Sequence, residues 1–320
     1  MNVDELLQQY AARERNFRSV NLHGANLSGM NLLDADLSKA NLREANLSGA
    51  NLEYATLTQA NLYRADLSET NFYHATLNQA DLREVNLSGA ILERASLIQA
   101  DVRGTNILQA RELYGINLSE VNLHGANLPG VDLGGATLNA TCLSSANLCE
   151  ANIACAQARK IDLCDANLTG IRATDTDFSE AILQRANLSR AFLLGANLTD
   201  SDMREANLEG ADLRESGFVR VDLRNANLQE VMLDLTTLFQ ANLCDANLTK
   251  AYLRYTNLKK VNLSKANLQG ADLTGSDLSR ACLCEANLSN VNLSEANLNG
   301  ADLSQAIFAN TRMPDGSIRS

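Results

Sequence analysis

From Phe17 to Ile107 a large apolar residue recurs at every fifth position, and from Leu113 to Met313 the same beat resumes, with Ala158 and Ala173 its two departures. An α-helix cannot use this period. Five steps of about 100° turn each apolar residue about 140° from the last, so they would wander around the cylinder. A short strand can use it, because residues two apart point to the same side. Around each centre the pattern is regular: in "ANLSG" at 25–29, Ala25 and Leu27 face inward, Asn26 faces outward, and the next two residues turn a corner.

The corners carry suitable chemistry. Fifteen of the 18 glycines lie two residues after a centre, as Gly24, Gly130 and Gly275 do, where a type II turn needs positive φ. Both prolines, Pro129 and Pro314, lie one after a centre, the turn position that proline's fixed φ suits. Strand and corner alternate, so the chain winds into a coil.

The number of sides is legible as well. In steps of 20 the triplet ANL recurs from 126–128 to 286–288, and no other set of units is so uniform. Below it the same column runs from 25–27 to 105–107. The gap from 105 to 126 is 21, so one residue is expected to bulge out near Arg111 and Glu112 while the coil continues. Sixty centres, 48 of them Leu, at four per coil give an all-β quadrilateral solenoid of about 15 coils over residues 15–313. At about 4.8 Å per coil the expected rod is roughly 70 Å long. The alanine centres Ala158 and Ala173 sit near Phe178, Ile161 and Ile171, which read as local exchange of volume.

Residues 1–14 read as a capping helix. Val3, Leu6, Leu7 and Tyr10 share one face, and Asn2 and Glu5 form an N-cap pair. Residues 314–320 read as a short polar tail, which leaves the C-terminal end of the coil as a candidate contact surface.

Composition narrows function. A net charge of −11 argues against direct binding to nucleic acid or anionic membrane. No apolar run is long enough to span a bilayer, the N-terminus lacks the layout of a secretory signal, and seven cysteines without CxxC pairs suit a reducing cytoplasm. His23, His74 and His124 are scattered, so no catalytic residues are expected. Cys142, Cys149, Cys155 and Cys164 do not converge, and Cys244 and Cys284 lie two coils apart, so neither a metal nor a cofactor is expected.

The iterated motif A-[DN]-L-x-x, from Phe17 to Met313, resembles the pentapeptide-repeat family. The resemblance implies a right-handed quadrilateral β-helix over more than nine-tenths of the chain. It also implies a non-enzymatic protein. The uninterrupted coil, the N-terminal helix and the ending "TRMPDGSIRS" are most similar to the cyanobacterial members, some of which are linked to control of heterocyst differentiation. Other members are acidic DNA mimics that bind gyrase and protect it from quinolones. Those dimerise through a C-terminal helical module, and the seven-residue tail here departs from that pattern. Charge departs too: −11 over the rod is one charge per ~6 Å against one per ~1.7 Å in B-DNA.

The expected function is therefore a cytoplasmic, regulatory protein–protein interaction rod, monomeric or an end-to-end dimer, with an unknown protein partner. The gyrase-binding DNA mimic is the alternative. Sorting outward residues by face gives one candidate partner surface, the face after ANL, which holds Tyr54, Tyr73, Tyr114, Phe192, Met232, Tyr252 and Tyr255. Leu33, Ile91, Leu194 and Leu235 accompany them, with His74 between, and the expected bulge lies on the same face. Such aromatics either form a contact surface or stack across coils. The face before ANL carries Arg83, Arg103, Arg204 and Arg224 beside Asp81, Asp101, Asp202 and Asp222, which reads as a solvated charge ladder.

Overall fold

The computed structural model describes the backbone of residues 1–320 and every side chain except that of Leu108. It separates into two units, 1–123 with 131–142 and 124–130 with 143–320, each built in the same way. The chain winds through four short sides per coil and then returns to register. In the first unit Asn26 pairs in parallel with Asn46, Asn46 with Asp66 and Asp66 with Asn86. In the second, Asn147, Asn167, Asn187 and Asn207 continue the same way. Each side contributes a single bridge to each neighbour, so pairing is a column of short rungs rather than a set of long strands. Among the described residues the one longer pairing joins β1 (Thr311–Arg312) to β2 (Ile318–Arg319).

The repeat satisfies every backbone N–H of a unit, which is why the sequence can be so uniform. The centre donates to the next coil, as Leu27 N–H does to the Asn46 carbonyl at 2.7 Å. The residue before the centre donates to the previous coil, Asn46 N–H to Ala25 at 2.9 Å. The second corner residue also donates to the next coil, Gly24 N–H to Arg43 at 2.9 Å, and Ala25 closes the turn onto Leu22 at 3.0 Å. The first corner N–H is taken by a side chain: Ser48 donates to Asn46 Oδ1 at 2.9 Å. That bond explains the Asn/Asp preference, since a short side-chain oxygen two residues back is what reaches it. The free amide then links coils, Asn167 Nδ2 to Asn147 Oδ1 at 3.0 Å and Asn227 Nδ2 to Asn207 Oδ1 at 2.9 Å.

Leucine and alanine columns fill the interior; Leu47, Leu67, Leu188 and Leu208 are fully buried. Ala158, Ala173, Phe178, Ile161 and Ile171 are all buried together, in keeping with exchanged volume. Where threonine replaces the small inward residue, its hydroxyl finds a carbonyl one coil back: Thr70 to Leu47, Thr141 to Leu118 and Thr176 to Ile153, each at 2.8 Å.

The corner position two after the centre does take positive φ, 65° at Gly24 and 66° at Gly275. It also takes it without glycine, at Lys39 (59°), Tyr54 (57°) and Leu235 (62°). Each such residue costs about 1–2 kcal/mol locally, and the ladder bonds on both sides hold it there.

The extra residue sits at Arg111 and Glu112, which together oppose Ile91: Arg111 N–H donates to the Ala90 carbonyl at the usual offset along the chain, whereas Leu92 N–H donates to the Glu112 carbonyl, one position beyond the usual offset. Glu84 N–H donates to the Arg103 carbonyl, the usual offset along the chain, whereas Gly89 N–H donates to Gln109, one position beyond that offset. The corner before the bulge is thus already distorted at Gln109, while Ala110 keeps the usual turn bond to Ile107. That distortion is a 3₁₀ turn at Ile107–Gln109, just ahead of the bulge. Glu112 is already back in the ladder, paired with Ile91.

Helix α1 (Val3–Ala11) begins at a reciprocal cap: Glu5 N–H donates to Asn2 Oδ1 at 2.8 Å, and Asn2 N–H to Glu5 Oε2 at 2.9 Å. Leu6 is fully buried, while Leu7 of the expected apolar face is exposed. The Tyr10 hydroxyl donates to the Leu33 carbonyl at 3.0 Å, and the ring stacks on Phe17 with centroids 6.4 Å apart. The first-coil centres Phe17, Leu22, Leu27 and Leu32 are consequently buried.

The polar tail is folded. After Pro314-Asp315-Gly316 the chain turns back, and β2 pairs antiparallel with β1. Met313 N–H donates to Ser317 at 2.8 Å, and the Arg319 guanidinium lies 3.7 Å over the Phe308 ring. The last centres, Leu298, Leu303, Phe308 and Met313, nonetheless remain partly exposed. Among the described residues no helix is long and apolar enough to cross a membrane.

Candidate functional site

Function on a filled coil must sit on outward side chains, and the aromatic residues of each unit are the first candidates. In the first unit they pack on one another. Tyr54 stacks on His74 at 5.3 Å, and Tyr73 meets both edge-on, at 6.0 Å from Tyr54 and 4.5 Å from His74. Tyr114 lies over Gly135, whose missing Cβ would stand 3.4 Å from the ring. The contacts among Tyr54, Tyr73 and His74 are stacking of the kind that strengthens a sheet by about 0.2–1 kcal/mol per pair.

The second unit differs in packing rather than in exposure, since Tyr54 (50%) and Tyr114 (52%) of the first are as open to solvent as its aromatics. Met232 and Tyr252 are adjacent rungs, and Phe192 stands two rungs before Met232 with Asp212 between. Leu235 and Tyr255 add corner side chains from two of the same coils. Exposure is 52% for Phe192, 61% for Leu235, 47% for Tyr252 and 59% for Tyr255, so about half of each side chain meets solvent. Met232 is half-buried. Tyr255 is aimed by Gly275: a Cβ there would come within 2.5 Å of the ring, so only glycine lets it lie flat across the next corner. The charges around the patch are satisfied, Arg214 by Asp212 at 2.7 Å and Arg254 by Asp234 at 2.6 Å. An apolar patch framed by paired charges is the anatomy of a contact surface.

Neither residue expected at the bulge joins a patch. Arg111 reaches across two coils to Glu69, with Nη2 to Oε2 at 2.8 Å, and Glu69 passes over Gly89, where a Cβ would be 2.4 Å from its Oε1.

The charge ladder is paired throughout. Arg83, Arg103, Arg204 and Arg224 each hold the Asp two residues back at 2.7 Å, and Arg83 also approaches Asp101 at 3.6 Å. The hydrogen bond from Arg83 holds the Asp81 carboxyl below its usual range, and Arg103 does the same to Asp101. Such carboxylates present a neutralised surface rather than a row of free anions.

The three histidines have separate partners. His23 Nδ1 is 2.8 Å from the Arg43 carbonyl, His124 Nδ1 is 2.9 Å from Ser144 Oγ, and His74 is in the aromatic stack. No disulfide links the cysteines among the described residues. Cys282 escapes a reading limited to CxxC pairs and single columns. It lies two residues from Cys284, on the same side of the strand, with the thiols 3.0 Å apart. The Cys284 thiol is pushed up to about 12 by its hydrogen bonds with Cys282 and Asp302.

The family described as "Pentapeptide repeats (8 copies)" matches residues 16–53, 45–83, 70–109, 116–153, 156–195, 193–229, 233–270, 241–280 and 286–315. The chain is a pentapeptide-repeat protein. No curated protein matches it significantly. Among solved structures, HetL, a pentapeptide-repeat protein involved in heterocyst differentiation regulation in the cyanobacterium Nostoc sp. strain PCC 7120, is 29% identical, with 100% of both chains covered and a TM-score of 0.34. The pentapeptide-repeat protein alr5209 from Nostoc PCC 7120 is 41% identical over 32% of this chain and 83% of its own, with a TM-score of 0.30. Full-length QnrB1, a plasmid-mediated fluoroquinolone resistance protein, is 16% identical over 57% of this chain and 90% of its own, with a TM-score of 0.23. All three overlay poorly, and the identification of this pentapeptide-repeat protein rests on its repeats.

Proposed function

We propose that this pentapeptide-repeat protein is a non-enzymatic protein–protein interaction scaffold wound as the family's right-handed β-helix, and that the patch around Phe192, Met232, Leu235, Tyr252 and Tyr255 receives its partner. The observation that carries the reading is the gathering of four exposed apolar side chains, Phe192, Leu235, Tyr252 and Tyr255, beside half-buried Met232 within four consecutive coils of one unit, next to charges that already have partners. Tyr54 and Tyr73 are assigned to stacking instead. A regulatory role of the kind found among cyanobacterial family members belongs to the same proposal.

The gyrase-directed DNA mimic is disfavoured by the ion pairs, since a phosphate-like row needs carboxylates that arginine does not already hold.

The test is a crosslinked pull-down from the native host with three folded proteins: wild type, F192S/Y252S/Y255S and Y54S/Y73S. The proposal expects a partner recovered by wild type and Y54S/Y73S but lost by the triple variant. Equal recovery by all three contradicts it, and recovery of gyrase by all three would restore the DNA-mimic reading.

A further inference from the structure

Two outward residues flanking one centre point the same way, and in this protein they are close enough to bond. Asp202 with Arg204 and Asp222 with Arg224 do so at 2.7 Å. Three coils after Asp222, on the same side of the coil, the flanking pair around Leu283 is Cys282 and Cys284, with sulfurs 3.0 Å apart. The ladder then brings a third donor. Asp302 is the parallel partner of Cys282, and its Oδ2 lies 3.1 Å from Cys284 Sγ. From the coil before, Ser264 Oγ stands 3.0 Å from Cys282 Sγ. The two sulfurs and a carboxylate oxygen all lie within 4.8 Å of one another.

We propose that Cys282, Cys284 and Asp302 form a zinc-binding site, with water completing the shell on the Ser264 side. Zinc takes four ligands tetrahedrally, with Zn–S about 2.3 Å and Zn–O about 2.0–2.2 Å. Two sulfurs on one such ion stand roughly 3.8 Å apart. The thiols therefore need to separate by less than about 1 Å from their present contact, a small side-chain rotation. Two thiolates exclude calcium and magnesium, which take oxygen ligands. A carboxylate as third ligand favours zinc over copper(I), which prefers sulfur throughout. On binding, the protons of Cys282 and Cys284 pass to solvent, and Asp302 coordinates as the carboxylate it already is.

The backbone makes the site firm. Cys282 N–H donates to Val261 at 2.9 Å and Leu283 N–H to Asp302 at 2.7 Å, so Cys282 and Asp302 sit on adjacent bonded rungs and Cys284 on the corner directly after its rung. None of the three is needed for the core, because all point outward.

The experiment uses the full chain, reduced and chelator-treated, titrated with zinc against a competing chelator and separately with cobalt(II) as a spectroscopic probe. The proposal expects one zinc per chain, a thiolate-to-cobalt charge-transfer band, and a thermal midpoint raised by zinc. C282S/C284S should remove all three signals, D302A should weaken binding at least about tenfold, and C149S/C155S should leave it unchanged. Stoichiometric binding that survives in C282S/C284S, or saturation by copper(I) with none by zinc, would overturn the assignment. If C282S/C284S fails to fold, D302A decides: unchanged affinity there also overturns it.

Discussion

The two ends of the repeat are finished differently. At the N-terminal end α1 lies over the first coil, and Phe17, Leu22, Leu27 and Leu32 are as buried as centres deep in the stack. At the C-terminal end a seven-residue tail forms β2, which pairs with one side only, and Leu298, Leu303, Phe308 and Met313 stay partly exposed. A repeat coil buries its centres against its neighbours, so an end without a lid keeps its ladder bonds on one face and loses half its packing. A hairpin satisfies polar edge groups, whereas an amphipathic helix covers apolar area.

The largest expected effect follows from removing each cover. Deleting residues 1–14 uncovers four centres, each worth about 1.5–3 kcal/mol when buried, and should melt the first coil and lower stability by several kcal/mol. Deleting 314–320 should cost under about 1 kcal/mol. Denaturant unfolding of both truncations checks this, and equal losses would break the comparison.

Single centres sharpen it. Leu27→Ala should cost about 2–5 kcal/mol, because the site cannot collapse. Leu303→Ala, at the open end, should cost about half as much or less, since solvent already reaches that centre.

The same question, whether an inward group has a partner one coil away, recurs within the second unit. Thr256 donates to the Leu233 carbonyl at 3.0 Å, so Thr256→Ala should lose about 1–2 kcal/mol. The buried hydroxyl of Ser276, one coil on, has no partner among the described residues, so Ser276→Ala should be neutral or stabilising by up to about 1 kcal/mol.

Charge should matter least. Asp81 and Asp101 have carboxyls lowered from 3.8 by their arginine bonds, so what they contribute is fully present above that value. It is lost only as pH falls through the lower folded value. Stability should thus be nearly flat between pH 7 and about 4, and the fall below that should be small for each of these solvent-screened pairs.

Much of this fold is legible because the repeat writes its own accounting. Leucine and alanine mark the inside, and Asn or Asp marks the corner whose N–H needs an oxygen. Corner conformation is less legible: glycine marks it at Gly24, yet Lys39 and Leu235 adopt it because the ladder imposes it. The joint is legible where the beat slips, since Arg111 and Glu112 are the two residues set against Ile91, but the 3₁₀ turn just ahead of them has no sequence signal. The hairpin is announced by Pro314-Asp315-Gly316 between short alternating segments, a turn signal overshadowed by the polar composition of the tail. Of the candidate face, the residues are legible but not their contacts. Tyr54 and Tyr73 are spent on His74, while Tyr255 is held open over Gly275, and that difference lies in ring orientation.

The most direct test of the contrast between the ends is amide hydrogen exchange resolved along the chain, at several protein concentrations. The account predicts that residues 17–36 exchange as slowly as interior coils and that 298–313 exchange markedly faster. Equal protection of both terminal coils, independent of concentration, would contradict it.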